Sequence, residues 1–278
     1  MPKVGVLYIV ATPIGNVGDI SERACETLSK VALVLAEDTR HSGSLLKRLG
    51  IKAKLHSYHQ HNEEPRSSWA IERLLEGSDI ALISDAGTPL LSDPGFRLVH
   101  SAHDHGVRVE PIPGPSSPIA ALSAAGLPSD RFFFEGFLPS KASSRRARLS
   151  ALRGFQYTLA FLESPHRISA CIQDMVDVFG EAREAVIARE LTKLHETIYK
   201  DSLGGLVKWL QADQQRTRGE FVILVGGAEP EVQSQQETDE LLNILLAELG
   251  AKQAAAVAAK ISGKKRNQLY QRILELSE

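Results

Sequence analysis

The fold of this chain is decided by residues 80–95, IALISDAGTPLLSDPG. Its short apolar beginning indicates a strand buried on both faces of a parallel sheet, although periodicity alone also allows a buried helix segment. Small, polar and φ-restricting residues follow at positions 85–89 and predict a turn. A second turn leads into a helical pattern over residues 96–105, with Asp93 placed to cap that helix and Pro94 at its first position.

The first of these turns lies where an α/β sheet binds its ligands. In open sheets, ligands bind beyond the carboxyl ends of the parallel strands. We therefore expect Asp85, Gly87 and Thr88 at the mouth of a ligand site. Turn chemistry alone also explains glycine and proline here, so a stiff connection without a ligand is the alternative.

Composition indicates a soluble protein that is long for one domain and comfortable for two, at 278 residues with 43% hydrophobic side chains. A net charge of −2 gives no global signal for nucleic acid, so any such contact requires a local basic patch. Cys25 and Cys171 are far apart in apolar patterns and indicate buried thiols rather than a disulfide or zinc site. With neither a signal peptide nor a membrane-length apolar run, we expect a cytoplasmic protein without a membrane partner.

Residues 1–117 alternate strand and helix patterns, which predicts a parallel α/β domain by the crossover rule. The candidate strands are residues 6–10, 33–36, 55–58, 80–84 and 107–112. In the loop after the first, Pro13 stands where G-x-G-x-x-G needs its first glycine, and no G-x-x-x-x-G-K-[ST] occurs anywhere. A dinucleotide fold therefore gains little support and a P-loop none.

Two further loops of this domain have both a structural and a functional interpretation. At residues 37–41, Asp38 or Thr39 can cap a helix; alternatively, a carboxylate lines a cleft and Arg40 faces a polyanion. Ser116 and Ser117 are either simple helix caps or part of a helix start whose backbone N–H groups grip a carboxylate or ribose. Two His-x2-His-x-His-like sets lack an acid at a firm ligand spacing, so no metal site is predicted.

The regular alternation of strand and helix patterns ends after residue 117. We assign residues 118–228 to a second α/β domain with a mixed sheet, and residues 229–278 to a helical appendage. Candidate strands are residues 132–139, 158–162, 185–188 and 221–225, and the tail predicts helices over residues 237–249, 251–261 and 264–276. Lys264, Lys265 and Arg266 suit contact with nucleic acid phosphates, but a packed capping tail fits equally.

Two strand ends of the second domain gather acids, bases and hydroxyls, namely ESPHR at residues 163–167 and RELTKLHE at residues 189–196. Solvated ion pairs are the plain interpretation, whereas a cluster where a buried strand meets solvent also marks functional sites.

Taken together, the motifs resemble a known family. LYIVATPIGNVGDIS, EDTRHSGSLL, SDAGTPLLSDPG, PIPGPSS, FFFEGFLPSK, ESPHR and RELTKLHE occur in the order typical of bacterial small-subunit ribosomal RNA cytidine 2′-O-ribose methyltransferases. Those enzymes belong to the tetrapyrrole-methylase-like superfamily. The resemblance covers residues 7 to about 227 and includes a helical tail of the expected kind. Ala11 and Pro13 depart from the glycine-rich first loop common in the superfamily.

The resemblance implies two α/β domains that enclose S-adenosylmethionine in the cleft between them, in a homodimer that acts on 16S ribosomal RNA within the small subunit. It assigns cofactor contacts to ten residues: Thr12, Pro13, Ile14, Asp85, Gly87, Thr88, Ser116, Ser117, Leu162 and Leu191.

A ribose hydroxyl is a poor nucleophile, so a positioned group must accept its proton. We hypothesise that Glu190, Lys193 and His195 form this catalytic end of the site. The proposed RNA-binding residues are Arg40, Arg145, Arg146, Glu163, His166, Arg167, Lys264, Lys265 and Arg266. The alternatives are a tetrapyrrole-type small-molecule methyltransferase, which has no need of the basic segments, and a non-catalytic RNA-binding assembly factor, which would take up no cofactor.

Overall fold

The computed structural model describes residues 4–229 and 235–276. The chain divides into two compact units, Met1–Ala228 and Glu229–Glu278. The first unit contains two five-stranded sheets, one built from residues 6–112 and the other from residues 132–225.

The first sheet is parallel throughout, as the alternating pattern predicts. Its strands are β1 (Val6–Val10), β2 (Leu33–Ala36), β3 (Leu55–Ser57), β4 (Ile80–Ile83) and β5 (Arg108–Ile112). Its helices are α1 (Glu22–Lys30), α2 (Thr39–Arg48), α3 (Glu63–Leu75) and α4 (Phe96–Asp104). The strand order is β3-β2-β4-β1-β5, and each neighbouring pair is parallel.

Strand β4 is central and buried on both faces, which explains its continuous apolar run. Ile80 and Leu82 pack in the core on one face of the sheet, whereas Ala81 and Ile83 pack in the core on the other. Successive side chains of a strand point to opposite faces, so a strand covered on both sides needs an apolar residue at every position. The strand interpretation of this run is confirmed.

The second sheet is mixed, as expected. Its strands are β6 (Phe132–Phe137), β7 (Thr158–Glu163), β8 (Glu184–Arg189), β9 (Thr197–Ser202) and β10 (Phe221–Val225), in the order β6-β7-β10-β8-β9. Only the β6–β7 pair is parallel among these. Its helices are α5 (Ser117–Ala125), α6 (Ala142–Leu152), α7 (Ile168–Phe179) and α8 (Leu203–Gln211). One face packs on α5 and on Ile14 from the loop after β1, which brings the two sheets together.

Strand β9 was not predicted. It lies at the edge of the sheet, pairs only with β8 among the strands described, and has no fully buried residue. Its sequence, TIYKDS, is polar because an edge strand has one side in solvent. Nothing in its hydrophobicity separates it from a loop.

The prediction for the start of α4 is wrong. The N-cap is Gly95, with a φ of +140°, and neither Asp93 nor Pro94 belongs to the helix. The Gly95 N–H donates instead to Oε1 of Glu63 on α3 at 3.0 Å, so a neighbouring helix supplies the acceptor that Asp93 was expected to provide. By contrast, Asp38 caps α2 by accepting from the N–H groups of Arg40 and His41, as the capping interpretation predicts.

The second unit is helical, with α9 (Gln235–Glu248), α10 (Ala251–Ser262) and α11 (Arg266–Leu276) around a small apolar core. Arg272 on α11 makes a bidentate ion pair with Asp239 on α9 at 2.7 and 2.6 Å. Throughout the described parts of the chain, no helix combines the length and apolarity that crossing a membrane requires.

Candidate active site

A cavity of about 400 Å³ opens between the two sheets of the first unit. Its volume lies within the range of small-molecule sites, roughly 300–1,000 Å³. The lining comes from the loops after β1, β2, β4, β7 and β8, the end of β6, the start of α5 and the start of β10. The loop-bearing edges of both sheets thus face one space, as the rule for ligand sites in α/β sheets anticipates.

Thr12 joins the loop after β1 to the loop after β4. Its N–H donates to the Gly87 carbonyl at 2.8 Å, and the Gly87 N–H donates back to the Thr12 carbonyl at 3.1 Å. The buried Thr12 hydroxyl donates to the Ser84 carbonyl at 3.1 Å. Gly87 has a φ of +83°, and a Cβ there would lie 3.3 Å from Cγ2 of Ile14. Glycine therefore allows the two loops to close on the cavity.

Three carboxylates line the wall formed by the first sheet, namely Glu37, Asp85 and Asp93. Burial and the charges of Glu37 and Asp85 raise the pKa of Asp93 to about 6, although a hydrogen bond from Ser84 opposes the change. Burial and the charge of Asp85 also raise the pKa of Glu37, an effect that His59 opposes. This wall consequently favours a cationic ligand or a proton.

The loop that carries Asp93 is strained. Leu90 and Ser92 have φ angles of +72° and +73°, although neither is glycine. Such backbone conformations cost about 1–3 kcal/mol each and persist only where the surrounding structure enforces them. Here they turn the segment between β4 and α4 so that Asp93 lines the cavity instead of capping the helix.

The N-terminus of α5 forms another part of the wall, through Ser116, Ser117 and Pro118. Ser116 is the N-cap residue, but its side chain makes no capping hydrogen bond, and its buried hydroxyl lacks a hydrogen-bond partner in the described structure. The Thr88 hydroxyl donates to the Pro115 carbonyl at 3.0 Å and fixes the loop beside it. An orphaned buried hydroxyl facing a cavity is a ready partner for a ligand atom.

The second sheet contributes a mainly apolar wall, with Leu162, Ala188, Leu191 and Val222 among its members. Phe137, at the end of β6, also lines the cavity and is 55% exposed. An apolar wall suits a purine ring, and an exposed aromatic side chain in the lining suits a second base.

Glu163 is a buried acid on this same wall. Its Oε1 accepts from the Ser164 N–H at 2.7 Å, and its Oε2 lies 3.2 Å from Nη2 of Arg167. That guanidinium also donates to the Leu138 carbonyl at 2.6 Å, so Arg167 braces the ends of β6 and β7. His166 is exposed beside it.

Most of the predicted cofactor residues meet at the cavity. Its lining includes Ile14, Asp85, Gly87, Thr88, Ser116, Ser117, Leu162 and Leu191. Thr12 and Pro13 are buried and are not part of the lining. Thr12 acts behind the wall by holding the Gly87 loop.

The predicted catalytic residues Glu190, Lys193 and His195 are not part of the lining. Oε1 of Glu190 accepts from the Lys193 ammonium at 3.0 Å and from the Glu220 N–H at 2.9 Å. Burial acts to raise the pKa of Glu190, but these two donors outweigh it and lower the pKa. Burial acts to lower the pKa of Lys193, but its hydrogen bonds to Glu220 and Glu190 outweigh it and raise the pKa. His195 is exposed, and its carbonyl accepts from Arg189.

The RNA-binding assignment needs correction at Glu163 and Arg167, which pair with each other at 3.2 Å with side chains 0% and 28% exposed, and at Arg145. Only 6% of its side chain is exposed, and its guanidinium lies 2.6 Å from Asp174, which is equally buried. A guanidinium committed to a buried carboxylate is not available to phosphate, so we withdraw Arg145 from the phosphate-binding set. Arg146 also bonds Asp174, at 2.9 Å, but half of its side chain faces solvent.

The remaining basic candidates are mostly accessible. The Arg40 side chain is 92% exposed and pairs with Asp38 at 3.1 Å. In the helical unit, Lys265 and Arg266 are exposed, whereas the Lys264 ammonium donates to the Thr238 hydroxyl.

Sequence reasoning missed several lining residues that carry chemistry or shape, among them Leu91, Asp93, Phe137 and Glu220. Asp93 was assigned to the helix cap, and no local pattern signals that its loop turns inward. Phe137 belongs to an aromatic strand whose exposed end becomes visible only when the second sheet is assembled.

Two family profiles match the chain. The profile of the tetrapyrrole (Corrin/Porphyrin) methylases matches residues 6–207, and that of the RsmI C-terminal HTH domain matches residues 232–277. Among curated proteins, the chain is 54% identical to "Ribosomal RNA small subunit methyltransferase I" of Pseudomonas aeruginosa, over 98% of each chain. It is 50% identical to the protein of the same name from Escherichia coli O157:H7, over 98% of this chain and 95% of that one.

Solved structures share the fold over about four fifths of the chain. The methyltransferase CobJ superimposes with a TM-score of 0.59 at 20% identity, covering 81% of this chain and 95% of that one. Diphthine synthase superimposes with a TM-score of 0.59 at 17% identity, covering 80% of this chain and 90% of that one. At these identities the likeness concerns the fold alone.

Proposed function

This chain belongs to the tetrapyrrole (corrin/porphyrin) methylase family, and on this premise we propose that it transfers a methyl group from S-adenosylmethionine to 16S ribosomal RNA. The acceptor is the ribose 2′-hydroxyl of a cytidine, as the order of the sequence motifs implies. Its close relatives are named ribosomal RNA small subunit methyltransferases. One observation carries the proposal. The motifs on which the family resemblance rests are far apart in the sequence, yet residues from them line one cavity between the two sheets.

The chemistry of the cavity fits S-adenosylmethionine. The unpartnered Ser116 hydroxyl and the carboxylates of Glu37 and Asp85 offer hydrogen bonds and negative charge to hydroxyl and cationic groups. The apolar wall around Leu162 and Leu191 offers a surface for an adenine ring. When bound, this cofactor supplies a methyl group that is already activated by the positive charge on its sulfur.

The residues of the chain then hold the acceptor in place. Holding the ribose oxygen in line with the methyl group at near-attack distance can supply a large part of the rate enhancement. Phe137 and Leu91, both exposed at the cavity, provide apolar surface for the target nucleoside. Arg146, His166 and Arg40 supply phosphate contacts from the first unit, and Lys264, Lys265 and Arg266 supply them from the helical unit.

The Glu190–Lys193–Glu220 cluster has a positioning role in this proposal. Glu190 and Thr192 have φ angles of +51° and +64°, so the loop after β8 needs external support. Lys193 supplies it by bonding both acids at 3.0 Å, and the Thr192 hydroxyl accepts from the Asn16 N–H at 3.1 Å. The cluster thereby ties the rim of one sheet to the first loop of the other.

Calorimetry with S-adenosylmethionine tests cofactor uptake. We expect one molecule per chain, at least tenfold weaker binding for Asp85→Asn, and unchanged binding for Asp104→Asn on α4, whose residue is not in the cavity lining. No uptake by the wild-type chain would contradict the proposal and favour the non-catalytic assembly factor.

The acceptor is tested with small ribosomal subunits from a strain that lacks this gene. We expect methyl transfer to a cytidine of 16S RNA, with the added mass retained on the ribose after the base is removed. Transfer to a base, or to a tetrapyrrole but not to the subunit, would contradict the proposal. Two further expectations stay predictions, namely that the chain forms a homodimer and that it is cytoplasmic. Light scattering of the purified chain tests the first, and cell fractionation tests the second.

A further inference from the structure

Methylating a ribose hydroxyl leaves a proton without an assigned acceptor. The three groups expected to provide one are committed elsewhere or lie outside the lining. Glu190 is held ionised by Lys193 and the Glu220 N–H, and Lys193 is held protonated by two carboxylates. An effective base must reach the hydroxyl and must be able to retain a proton near neutral pH.

The carboxylates of the cavity wall differ in how free they are. Oε1 of Glu163 accepts from the Ser164 N–H, and its Oε2 forms an ion pair with Arg167 at 3.2 Å that lacks hydrogen-bond geometry. Asp85 accepts from the Asp38 N–H at 3.1 Å and joins the ends of β4 and β2. Each of these two acids therefore has a structural role in the cavity wall, Glu163 beside Arg167 and Asp85 between two strand ends.

Asp93 is differently placed. The strained loop between β4 and α4 presents it to the cavity, beside Leu91, which is exposed at the same cavity as Phe137. The charged groups facing it are Glu37 from the end of β2 and Asp85 from the end of β4, and Ser84 is the hydroxyl beside it. Burial among these acids raises its pKa to about 6, which suits a base that works near neutral pH.

We propose that Asp93 is the catalytic base, and that Glu37 is the positioning residue that tunes it. This inference rests on the proposed function. The 2′-hydroxyl proton passes to a carboxylate oxygen of Asp93. The ribose oxygen forms a bond to the methyl carbon while the carbon–sulfur bond breaks. The electron pair of the broken carbon–sulfur bond remains on sulfur. Asp93 then releases the proton to water.

The test compares Asp93→Asn with Glu37→Gln and with the matched control Asp104→Asn. Single-turnover methylation of small subunits from the deletion strain is measured from pH 5 to 9 at saturating cofactor. We expect the wild-type rate to rise about tenfold per pH unit below roughly pH 6 and then level. Asp93→Asn loses this limb and falls about 10²- to 10⁴-fold at pH 7.5, and Asp104→Asn stays within twofold. Glu37→Gln moves the limb to lower pH, because removing its charge lowers the pKa of Asp93.

Two measurements separate catalysis from structure. Calorimetric affinity for S-adenosylmethionine is expected to stay within threefold in Asp93→Asn. The carboxyl ¹³C resonance of Asp93, followed in the cofactor-free chain, is expected to titrate near the kinetic limb and to move down in Glu37→Gln. Wild-type rates in Asp93→Asn, or a limb that survives that substitution, would overturn the inference alone. Failure of the wild-type chain to methylate the subunit would overturn the proposed function as well.

Discussion

Replacing Asp174 by Asn is expected to destabilise the first unit, so that it unfolds at a much lower urea concentration than the wild-type chain. The side chains of Asp174 and Arg145 are only 7% and 6% exposed, and their nearest oxygen and nitrogen atoms are 2.6 Å apart. Removing one partner of a buried pair leaves an uncompensated buried charge, which costs about 3–5 kcal/mol. For a unit of this size, that corresponds to a loss of roughly 6–20 °C in melting temperature.

Urea unfolding followed by circular dichroism measures this cost, and two further variants control it. Arg146→Ala removes the half-exposed partner of the same carboxylate and is expected to cost only about 0–1 kcal/mol. The double variant Arg145→Met/Asp174→Leu replaces the pair by apolar groups and is expected to recover most of the stability. A loss below about 1 kcal/mol in Asp174→Asn would refute the buried-pair interpretation. So would a weaker salt dependence of RNA binding in Arg145→Met, since Arg145 would then contact phosphate.

Three other predictions concern the cavity and the basic residues of the helical unit. Gly87→Val forces a β-branched residue to a φ of +83° and crowds Ile14, so calorimetric affinity for S-adenosylmethionine is expected to fall at least tenfold while the circular dichroism spectrum is retained. Asp93→Asn is expected to stabilise the chain by about 1–2 kcal/mol at pH 8 and by nothing at pH 4. The reason is that the raised pKa of Asp93 makes the wild-type chain lose stability as pH rises from about 4 through 6. The figure of about 1–2 kcal/mol already allows for solvent screening of this partly exposed group. Equal shifts in melting temperature at both pH values would contradict this. Lys265→Ala/Arg266→Ala is expected to reduce the slope of log affinity against log salt for RNA by about 1–2, and an unchanged slope would remove these residues from the phosphate contacts.

The sequence predicts the elements that are buried on both faces or interrupted by turn residues. β4 and β10 are continuous apolar runs with no exposed position. Each was recognised as a strand because burial on both faces requires an apolar residue at every position. β9 was missed because its pairing with β8 depends on partners remote in sequence and leaves no mark on a polar edge strand. Strand ends in an α/β sheet converge by topology, so the placement of Asp85, Gly87 and Thr88 at the cavity could be predicted from the strand pattern, whereas the other proposed cofactor residues came from the family resemblance.

Single side chains proved harder to assign than strands. Arg145 was grouped with the other arginines of a basic helix, although Leu149 and Leu152 follow it at the spacing of one helix face and indicate an inward position. The inward turn of Asp93 depends on positive φ angles at Leu90 and Ser92, which neither residue type signals. The ionisation of Glu190 depends on Glu220, which is thirty residues away in sequence and meets it only in the assembled sheet.

A crystal structure of the full chain soaked with S-adenosylmethionine tests the central claim most directly, because it shows which residues contact the cofactor. We predict cofactor density between the two sheets, with Asp85 and Ser116 on one side and Leu162 and Leu191 on the other. Density at any other place, with this cavity filled only by water, would contradict the account.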